Sequence, residues 1–230
     1  MTIWTNLWDL FFPRPCVICG KPLLQMENFV CLHCLSNLPL TNLHLQKDNE
    51  IEKNFWGKMP IERATSYLYY SKGGDVRNLL YELKYYGNKE IGRFLGHCMA
   101  NSISLSGFFD GIDFIVPIPL HPKREKERGY NQSEWLAKGI ADITHFPIHK
   151  EVLIRSSYST TQTHKTRIER FESMRDMFEC IHPEVLKDKH ILLVDDVLTT
   201  GATLVAASDA MAGVGGLRIS VLTLALAGYD

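Results

Sequence analysis

The sequence has no long apolar run and no excess charge of either sign. None of its apolar stretches approaches the roughly 20 residues that cross a bilayer, so we expect no integral membrane association. The 25 Lys and Arg residues nearly balance 26 Asp and Glu residues, giving a formal net charge of -1. This balance excludes the overall basic field typical of nucleic-acid-binding proteins, so any site for a polyanion must be a local patch.

The apolar N-terminus lacks the features of an export signal. Met1–Phe12 has no basic start and no small-residue cleavage site, and Asp9 interrupts it. We therefore expect a cytoplasmic protein in a reducing compartment. Its large apolar residues recur at helical spacing, at Trp4, Leu7, Trp8 and Phe11. The pattern predicts a helix packed on its own domain. A helix that docks on a partner or a membrane is the alternative, and the absence of Lys and Arg argues against the membrane.

Composition divides the chain into three parts. Its 230 residues and 45% hydrophobic content suit one medium domain with a small appendage. Residues 1–38 hold the aromatic leader and a cysteine cluster. Residues 39–60 are mostly polar, which is typical of a linker, with Phe55–Gly57 as a candidate anchor. Residues 61–230 form the predicted main domain.

The main domain alternates predicted strands and helices. The predicted strands are Ser66–Tyr70, Phe114–Ile118, Val152–Ile154, Met177–Glu179, Ile191–Val194 and Ile219–Ala225. The predicted helices are Asp75–Tyr85, Ile91–Ile103, Ser133–Ile143 with Ser133 as its cap, and Ala202–Ala212. This alternation predicts an α/β fold with an open, mostly parallel sheet and helices on both faces. Ligands of such sheets bind at the carboxyl ends of the strands.

One segment, residues 191–203, combines an apolar strand, two acids and a loop rich in hydroxyls. Asp195 and Asp196 follow the strand, and Thr-Thr-Gly-Ala-Thr leads into a helix. Backbone N–H groups converge at a helix N-terminus, and Gly201 lets the backbone approach an anion closely. The segment predicts a phosphate-binding loop beside carboxylates that face hydroxyls or a cation. An ordinary turn and helix cap is the alternative.

This block resembles the 5-phosphoribosyl-1-pyrophosphate (PRPP) signature of type I phosphoribosyltransferases at every position. The resemblance implies the type I phosphoribosyltransferase fold, with PRPP and Mg²⁺ as ligands. It implies that Asp195 and Asp196 are the catalytic pair that holds the ribose 2′- and 3′-hydroxyls, in part through Mg²⁺. The implied loop around the 5′-phosphate comprises Val197, Leu198, Thr199, Thr200, Gly201, Ala202 and Thr203.

A second constellation lies in residues 114–132. An apolar strand runs into prolines and then into a cluster of basic side chains. A rigid cationic loop after a strand suits pyrophosphate, because Arg side chains bind phosphate oxygens bidentately. A solvated charged loop is the alternative, since Glu125 and Glu127 half-neutralise the cluster. The predicted pyrophosphate loop comprises Lys123, Arg124, Arg128, Gly129, Tyr130, Asn131 and Gln132.

Several motifs together resemble the ComF family of competence-related proteins. They are Val116–Leu120 with Arg128–Gln132, Leu83–Gly87, the four-cysteine cluster, and Arg155 with Thr161–Thr163 and Glu169–Arg170. The matches run from about residue 11 to residue 225. The chain departs from the family pattern at Glu172–Met174, where many members carry Asn. That position therefore has no implied role.

The resemblance to phosphoribosyltransferases also implies a loop within Ser156–Arg175 that closes over bound substrates and excludes water. The segment is polar and rich in Ser, Thr and Arg. The predicted lid residues are Gln162, Lys165 and Arg170, with Arg167 beside them. A surface helix with solvated charges is the alternative.

The cysteine cluster has the spacing of a metal site. Cys16-x₂-Cys19 and Cys31-x₂-Cys34 are separated by eleven residues. This pattern predicts a structural zinc site in a small zinc-ribbon-like module, because four thiolates fill the coordination sphere. A redox cysteine pair, or a site in which His33 replaces one cysteine, is the alternative. Cys98 is predicted to be a small core residue, and Cys180 receives no role.

Two functions are compatible with these motifs. In the first, a phosphoribosyltransferase positions Mg²⁺-bound PRPP so that a nitrogen nucleophile displaces pyrophosphate through an oxocarbenium-like transition state. PRPP as a mere ligand is a variant of this function. In the second, which the resemblance implies, a non-enzymatic competence protein handles incoming single-stranded DNA with DNA-uptake proteins as partners, using the basic loop, the zinc module and aromatic side chains. The sequence specifies neither the acceptor base nor the oligomeric state.

Overall fold

The computed structural model of this chain describes residues 14–155 and 177–228. The predicted aromatic helix at Trp4–Phe11 and the predicted lid residues Gln162, Lys165 and Arg170 lie outside the described residues. Within those two ranges, no helix has the length and apolar character that crossing a membrane requires.

A parallel four-stranded sheet forms the centre of the fold. Its strands are β1 (Ile61–Tyr70), β2 (Phe114–Pro117), β5 (His190–Leu198) and β6 (Arg218–Ala227). They are ordered β1-β6-β5-β2, and all three neighbouring pairs are parallel. Two short strands, β3 (Leu153–Arg155) and β4 (Phe178–Cys180), form a separate antiparallel pair. The prediction of an open, mostly parallel sheet is confirmed.

Helices cover both faces of this sheet. They are α1 (Leu32–Ser36), α2 (Glu50–Phe55), α3 (Val76–Tyr85), α4 (Lys89–Ile103), α5 (Pro122–Arg128), α6 (Gln132–Thr144), α7 (Pro183–Leu186) and α8 (Ala202–Asp209). Short 3₁₀ turns lie at Leu43–Leu45 and Ser104–Ser106. Side chains of β5 alternate between the two resulting cores, because successive residues of a strand point to opposite faces. Leu192 and Val194 pack with α3, α4 and α6, whereas Ile191 and Leu193 pack with α2 and α8.

Two glycines let α4 and α6 cross at close range. A Cβ on Gly96 would lie 2.2 Å from the Leu136 carbonyl oxygen, and one on Gly139 would lie 2.1 Å from the Arg93 carbonyl oxygen. No side chain fits in that gap. The crossing therefore holds α6 tightly against its neighbour, with the N-terminus of α6 beside the carboxyl end of β5, where Ser133 meets Asp195.

The segment 39–60 packs against the sheet, although its polar composition predicted a linker. The Asn49 side chain accepts hydrogen bonds from the N–H groups of Ile51 and Glu52 at 2.9 and 3.1 Å, capping α2. Glu52 in turn forms a buried ion pair with Arg63 on β1 at 2.9 Å. Polar residues here satisfy one another inside the protein, and Phe55 is fully buried. The division of the chain into domains at residues 38 and 60 stays a prediction.

Two further elements differ from the sequence-based predictions. Residues 122–128, predicted as a loop, form α5, because the His121 side chain accepts from the Lys123 N–H at 3.2 Å and Pro122 suits the first helical position. Helix α6 begins at Gln132 and is capped by Asn131, whose Oδ1 accepts from the Ser133 N–H at 3.1 Å. The prediction that Ser133 caps this helix is wrong.

Candidate functional site

Two adjacent acids stand at the carboxyl end of β5. Strand β5 continues past the predicted apolar run, so Asp195 and Asp196 lie within the strand and not after it. The Ser133 hydroxyl donates a hydrogen bond to Asp195 Oδ1 at 3.0 Å, and the Asp196 N–H donates to the same oxygen at 2.8 Å. Asp196 Oδ2 pairs with Lys84 Nζ at 2.9 Å. The acids are thus held between α6 on one side and α3 on the other.

The two carboxyls differ in their surroundings. Burial raises the pKa of Asp195, and the negative charge of Asp196 raises it further, to about 7. This pKa is lowered by hydrogen bonds from the Asp196 N–H and the Ser133 hydroxyl and by the charge of Lys84. Together they do not cancel the increase. The fold therefore favours the protonated form of Asp195 more than water does, and an approaching cation favours its ionised form.

A glycine-containing loop connects β5 to α8 beside the acids. Gly201 has φ +80°, a conformation that favours glycine, and a Cβ there would lie 2.6 Å from Phe55 Cε1. Asn54 Nδ2 donates to the Thr200 carbonyl oxygen at 3.4 Å. The loop is thus supported from below by α2, while Thr199 and Thr200 are exposed above it. Gly201, the residue before α8, has no side chain to cap this helix, and the Ala202 N–H donates a long hydrogen bond of 3.4 Å to Thr200 Oγ1. The N–H groups of a first helical turn lack partners within the helix and point toward the preceding loop.

Several basic side chains lie near the acids, and Lys84 is the one that pairs with Asp196 directly. A cavity of about 500 Å³ is lined by Lys84, Tyr85, Gly87, Arg124, Glu127 and Arg128. Arg155, at the end of β3, lies within electrostatic range of both Arg124 and Asp195. Burial lowers the pKa of Arg155, the charge of Arg124 lowers it further, and Asp195 partly reverses the shift. Guanidinium groups bind anions through charge-assisted hydrogen bonds, so Arg124 and Arg155 are together candidates for holding one.

Residues 129–132 connect α5 to α6 and point mainly into the protein. The Tyr130 hydroxyl donates to the Leu83 carbonyl oxygen at 2.6 Å, and Asn131 Nδ2 donates to the Ile118 carbonyl oxygen at 3.0 Å. Arg128 Nη1 donates to Gln132 Oε1 at 2.8 Å. These contacts set the position of α3, β2 and α5 relative to one another. Direct contact of Gly129, Tyr130, Asn131 or Gln132 with a ligand stays a prediction.

A second cavity opens on the other side of Lys84, over the carboxyl ends of β1 and β6. Its volume is about 380 Å³. It is lined by Tyr70, Arg77, Leu80, Tyr81, Lys84, Tyr85, Asp196, Val197, Thr199 and Ala227. The two cavities share Lys84 and Tyr85, so these side chains form a ridge between them.

Comparison with known proteins agrees with this geometry. A family model described as "Phosphoribosyl transferase domain" matches residues 132–229, from the start of α6 to just past the end of β6. Competence protein ComFC of Bacillus subtilis (strain 168) is 32% identical over 202 residues, which cover 85% of this chain and 78% of that protein. The chain belongs to the ComF family. Its resemblance to that family and the phosphoribosyltransferase-type fold are thereby confirmed.

Further similarities extend over most of this ComF-family chain. DNA utilization protein YhgH of Escherichia coli (strain K12) is 24% identical over 212 residues, covering 91% of this chain and 88% of that protein. Among solved structures, glutamine PRPP amidotransferase from B. subtilis, complexed with ADP and GMP, is similar at 18% identity with a TM-score of 0.44. That alignment covers 62% of this chain and 30% of the amidotransferase.

The four clustered cysteines of this ComF-family protein converge at one point. Ligand atoms of Cys16, Cys19, Cys31 and Cys34 all lie within 4.8 Å of one another, as a metal site requires. Burial raises the pKa of Cys16, but the N–H groups of Cys19, Cys31 and Ile18 outweigh burial and lower it to about 7. Burial raises the pKa of Cys34, and the neighbouring thiols raise it further. Four soft ligands at this spacing can hold a zinc ion.

The remaining cysteines lie elsewhere in the ComF-family fold. Cys98 packs partly against the first core, and burial raises its pKa to about 11, in line with the prediction of a core residue. Cys180 ends β4. His33 is exposed and does not belong to the described cysteine cluster.

Sequence reasoning gave no role at the candidate site to four residues that the structure brings there. Lys84 and Arg155 belong to motifs that resemble the ComF family, but neither residue was assigned a role. Asn54 and Phe55 lie in the segment interpreted as a linker, where Phe55–Gly57 was a candidate anchor. The ComF motif Leu83–Gly87 was the signal that could have indicated Lys84.

Proposed function

We propose that this ComF-family protein binds PRPP together with Mg²⁺ in the cleft at the carboxyl end of β5. One observation carries the proposal: the paired acids Asp195 and Asp196, the hydroxyl-rich loop and the start of α8 follow one another directly at that strand end. An open parallel sheet binds its ligands at this edge.

Each part of PRPP has a matching group of residues. The loop Val197–Thr203 offers hydroxyls and N–H groups to the 5′-phosphate. Asp195 and Asp196 accept hydrogen bonds from the ribose hydroxyls. Lys123, Arg124 and Arg128 neutralise the pyrophosphate, and Arg155 adds a further positive charge close to Arg124. The proposal keeps the predicted lid, in which Gln162, Lys165 and Arg170 close over the ligand.

The residues also fit a magnesium ion. Mg²⁺ prefers oxygen ligands such as carboxylates. Asp195 and Asp196 place two carboxylates next to each other at the end of β5. In this structure the ammonium group of Lys84 lies 2.9 Å from Asp196, where it partly balances the two negative charges. When bound, Mg²⁺ would supply charge neutralisation for the pyrophosphate and the acids.

The chemistry that this site supports is phosphoribosyl transfer. A nitrogen nucleophile attacks C1 of the ribose, the C1–O bond breaks, and pyrophosphate leaves with the electron pair. The basic residues around α5 stabilise that leaving group, since they face the charge that develops on it. The cysteine cluster lies outside this chemistry, and we propose that it binds a structural zinc ion.

The test is calorimetric titration of PRPP and Mg²⁺ into zinc-loaded protein. We expect binding that requires Mg²⁺ and is lost in the double variant Asp195→Asn/Asp196→Asn. Release of pyrophosphate with a nucleobase present then tests transfer. Failure of the wild-type protein to bind PRPP would overturn the proposal, whereas binding without turnover would leave PRPP as a ligand.

A second candidate function is the handling of single-stranded DNA in competence. Similar proteins are named as competence and DNA utilization proteins. Helix α5 favours this candidate, because it exposes Lys123, Arg124 and Lys126 on the surface. Charge reversal at Arg124 and Arg128 is expected to weaken DNA binding and reduce its dependence on salt. Absence of a gel shift at low salt would count against this function.

A further inference from the structure

The outer face of α3 carries aromatic and basic residues at four-residue spacing. Arg77, Tyr81 and Tyr85 share this face, because residues four apart in a helix are neighbours. The opposite face is buried in the first core by Val76, Leu79, Leu80 and Leu83. Tyr81 is 44% exposed and Tyr85 is 65% exposed. Packing of the core therefore does not explain these two rings.

These side chains, together with Arg128 of α5, contact one another in a row of two rings between two guanidinium groups. The Arg77 guanidinium lies 5.1 Å from the Tyr81 ring centroid, and the centroids of Tyr81 and Tyr85 are 5.3 Å apart. The guanidinium of Arg128, from α5, lies 5.6 Å from the Tyr85 ring centroid. We call this row of Arg77, Tyr81, Tyr85 and Arg128 the Arg–Tyr ladder. Cation–π contacts hold its rings in place without covering them completely.

The Arg–Tyr ladder runs past both cavities of the candidate site. Arg77 and Tyr81 line the cavity of about 380 Å³ that reaches Asp196. Arg128 lines the cavity of about 500 Å³, where Lys84 and Arg124 add two further positive charges against Glu127. Tyr85 lines both. A ligand on the ladder thus meets two neighbouring rings with a guanidinium group at each end.

We propose that the Arg–Tyr ladder binds single-stranded nucleic acid, with bases stacked on Tyr81 and Tyr85 and phosphates bound by Arg77 and Arg128. Stacking on aromatic side chains within a basic groove is how proteins bind single strands without reading sequence. From Arg77 to Tyr85 the helix rises about 12 Å, which is longer than one base. A polymer therefore matches the ladder better than a free nucleobase. The inference rests on the DNA-handling function proposed above and assigns residues to it.

The test is fluorescence anisotropy of a labelled oligothymidine of about 20 nucleotides with the zinc-loaded full chain. Tyr81→Leu and Tyr85→Leu are each expected to weaken binding about tenfold, because one stacked base is lost. Tyr85→Phe keeps the ring and is expected to bind like the wild type. Tyr86→Leu is the matched control, since Tyr86 is 71% exposed on the same helix end but lines neither cavity.

The salt dependence of oligonucleotide affinity distinguishes the contribution of the Tyr rings from that of the Arg guanidinium groups. Arg77→Gln is expected to weaken binding and to flatten the plot of log affinity against log salt, because a phosphate contact is lost. The two Tyr→Leu variants are expected to keep the wild-type slope, since no charge is removed. Thermal unfolding of each variant checks that the fold is retained, as these side chains lie at the surface.

Three outcomes would overturn the proposal. One is that Tyr81→Leu and Tyr85→Leu bind the oligonucleotide as tightly as Tyr86→Leu does. Another is that thymidine monophosphate binds the wild type as tightly as the oligonucleotide does, which would assign the ladder to a single base. The third is that the wild type does not bind the oligonucleotide at all. PRPP titrations of the same variants distinguish this failure from failure of the PRPP proposal, which the acid variants Asp195→Asn/Asp196→Asn test separately.

Discussion

The ring of Phe55 packs directly beneath Gly201. A Cβ on Gly201 would lie 2.6 Å from Phe55 Cε1 and 3.0 Å from Phe55 Cζ. The contact joins α2, from the segment that resembled a linker, to the loop between β5 and α8. The shape of the candidate phosphate loop therefore depends on residues almost 150 positions earlier in the chain, as the separation of 146 between Asn54 and Thr200 also illustrates.

Substituting Gly201 should disturb this loop. Gly201→Ala places a methyl group against Phe55 and requires a positive φ, so we expect a loss of about 2 kcal/mol in the free energy of unfolding and weaker PRPP binding. Chemical denaturation and calorimetry measure the two effects. Gly213→Ala is the control, because a Cβ there meets nothing within 4 Å. Equal stability and equal PRPP binding of the two variants would contradict the role of the Phe55–Gly201 contact.

The pKa of Asp195 predicts a pH-dependent gain in stability on mutation. Burial and Asp196 raise this pKa from 3.8 to about 7, so the fold favours the protonated carboxyl. The wild type therefore loses stability as the pH rises from about 4 through about 7. In Mg²⁺-free buffer, Asp195→Asn is expected to be more stable than the wild type at pH 8, by on the order of 2 kcal/mol, and similar to it at pH 4.

Asp113 provides a control of opposite sign. The His190 N–H, and then Lys189, lower the pKa of Asp113 below its ordinary value. Its stabilising effect is present above about pH 4 and is lost as the pH falls below that, so Asp113→Asn should be destabilised at neutral pH. Urea unfolding of both variants across pH measures the two trends. Parallel trends for Asp195→Asn and Asp113→Asn would contradict the assignment.

From the cysteine cluster we predict that substituting one of its cysteines removes the bound zinc and lowers the stability of the protein. Cys16→Ser is expected to lower the zinc content from about one ion per chain to near zero, since three thiolates close the site poorly. Unfolding at lower temperature should accompany this loss, because metal binding contributes to the folding of such modules. Elemental analysis and thermal unfolding measure both. Cys98→Ser is the control and should keep its zinc, as Cys98 lies on α4 away from the cluster.

Because α4 and α6 cross so closely, we predict that one methyl group added at the crossing strongly lowers the free energy of unfolding. Gly139→Ala would place its Cβ 2.1 Å from the Arg93 carbonyl oxygen, so the helices must separate. We expect a loss of about 3 kcal/mol in the free energy of unfolding, measured by urea denaturation. Gly73→Ala, where a Cβ meets nothing within 4 Å, is expected to be nearly neutral. A wild-type-like Gly139→Ala variant would show that the helices do not pack this closely.

Local sequence determined the main elements of the fold. The helical spacing of apolar residues placed α3 and α4 within a few positions, because it reflects one buried face. Continuous apolar runs placed β5 and β6, which are buried on both faces, and a short β-branched run placed β2. The spacing of Cys16, Cys19, Cys31 and Cys34 indicated that they converge, and the structure brings them together. The block Ile191–Thr203 stood out because its strand, acids and glycine loop are consecutive.

Only the tertiary structure decided what surrounds that block. From distant parts of the chain, Lys84 of α3 pairs with Asp196 and Ser133 of α6 donates to Asp195. Arg155 of β3 lies within electrostatic range of Asp195. The polar segment 39–60 became part of the fold because Asn49, Glu52 and Arg63 satisfy one another in a buried network. Periodicity reports which face of an element is buried, but not which element covers it. That pairing depends on long-range contacts, which form only when the whole chain packs.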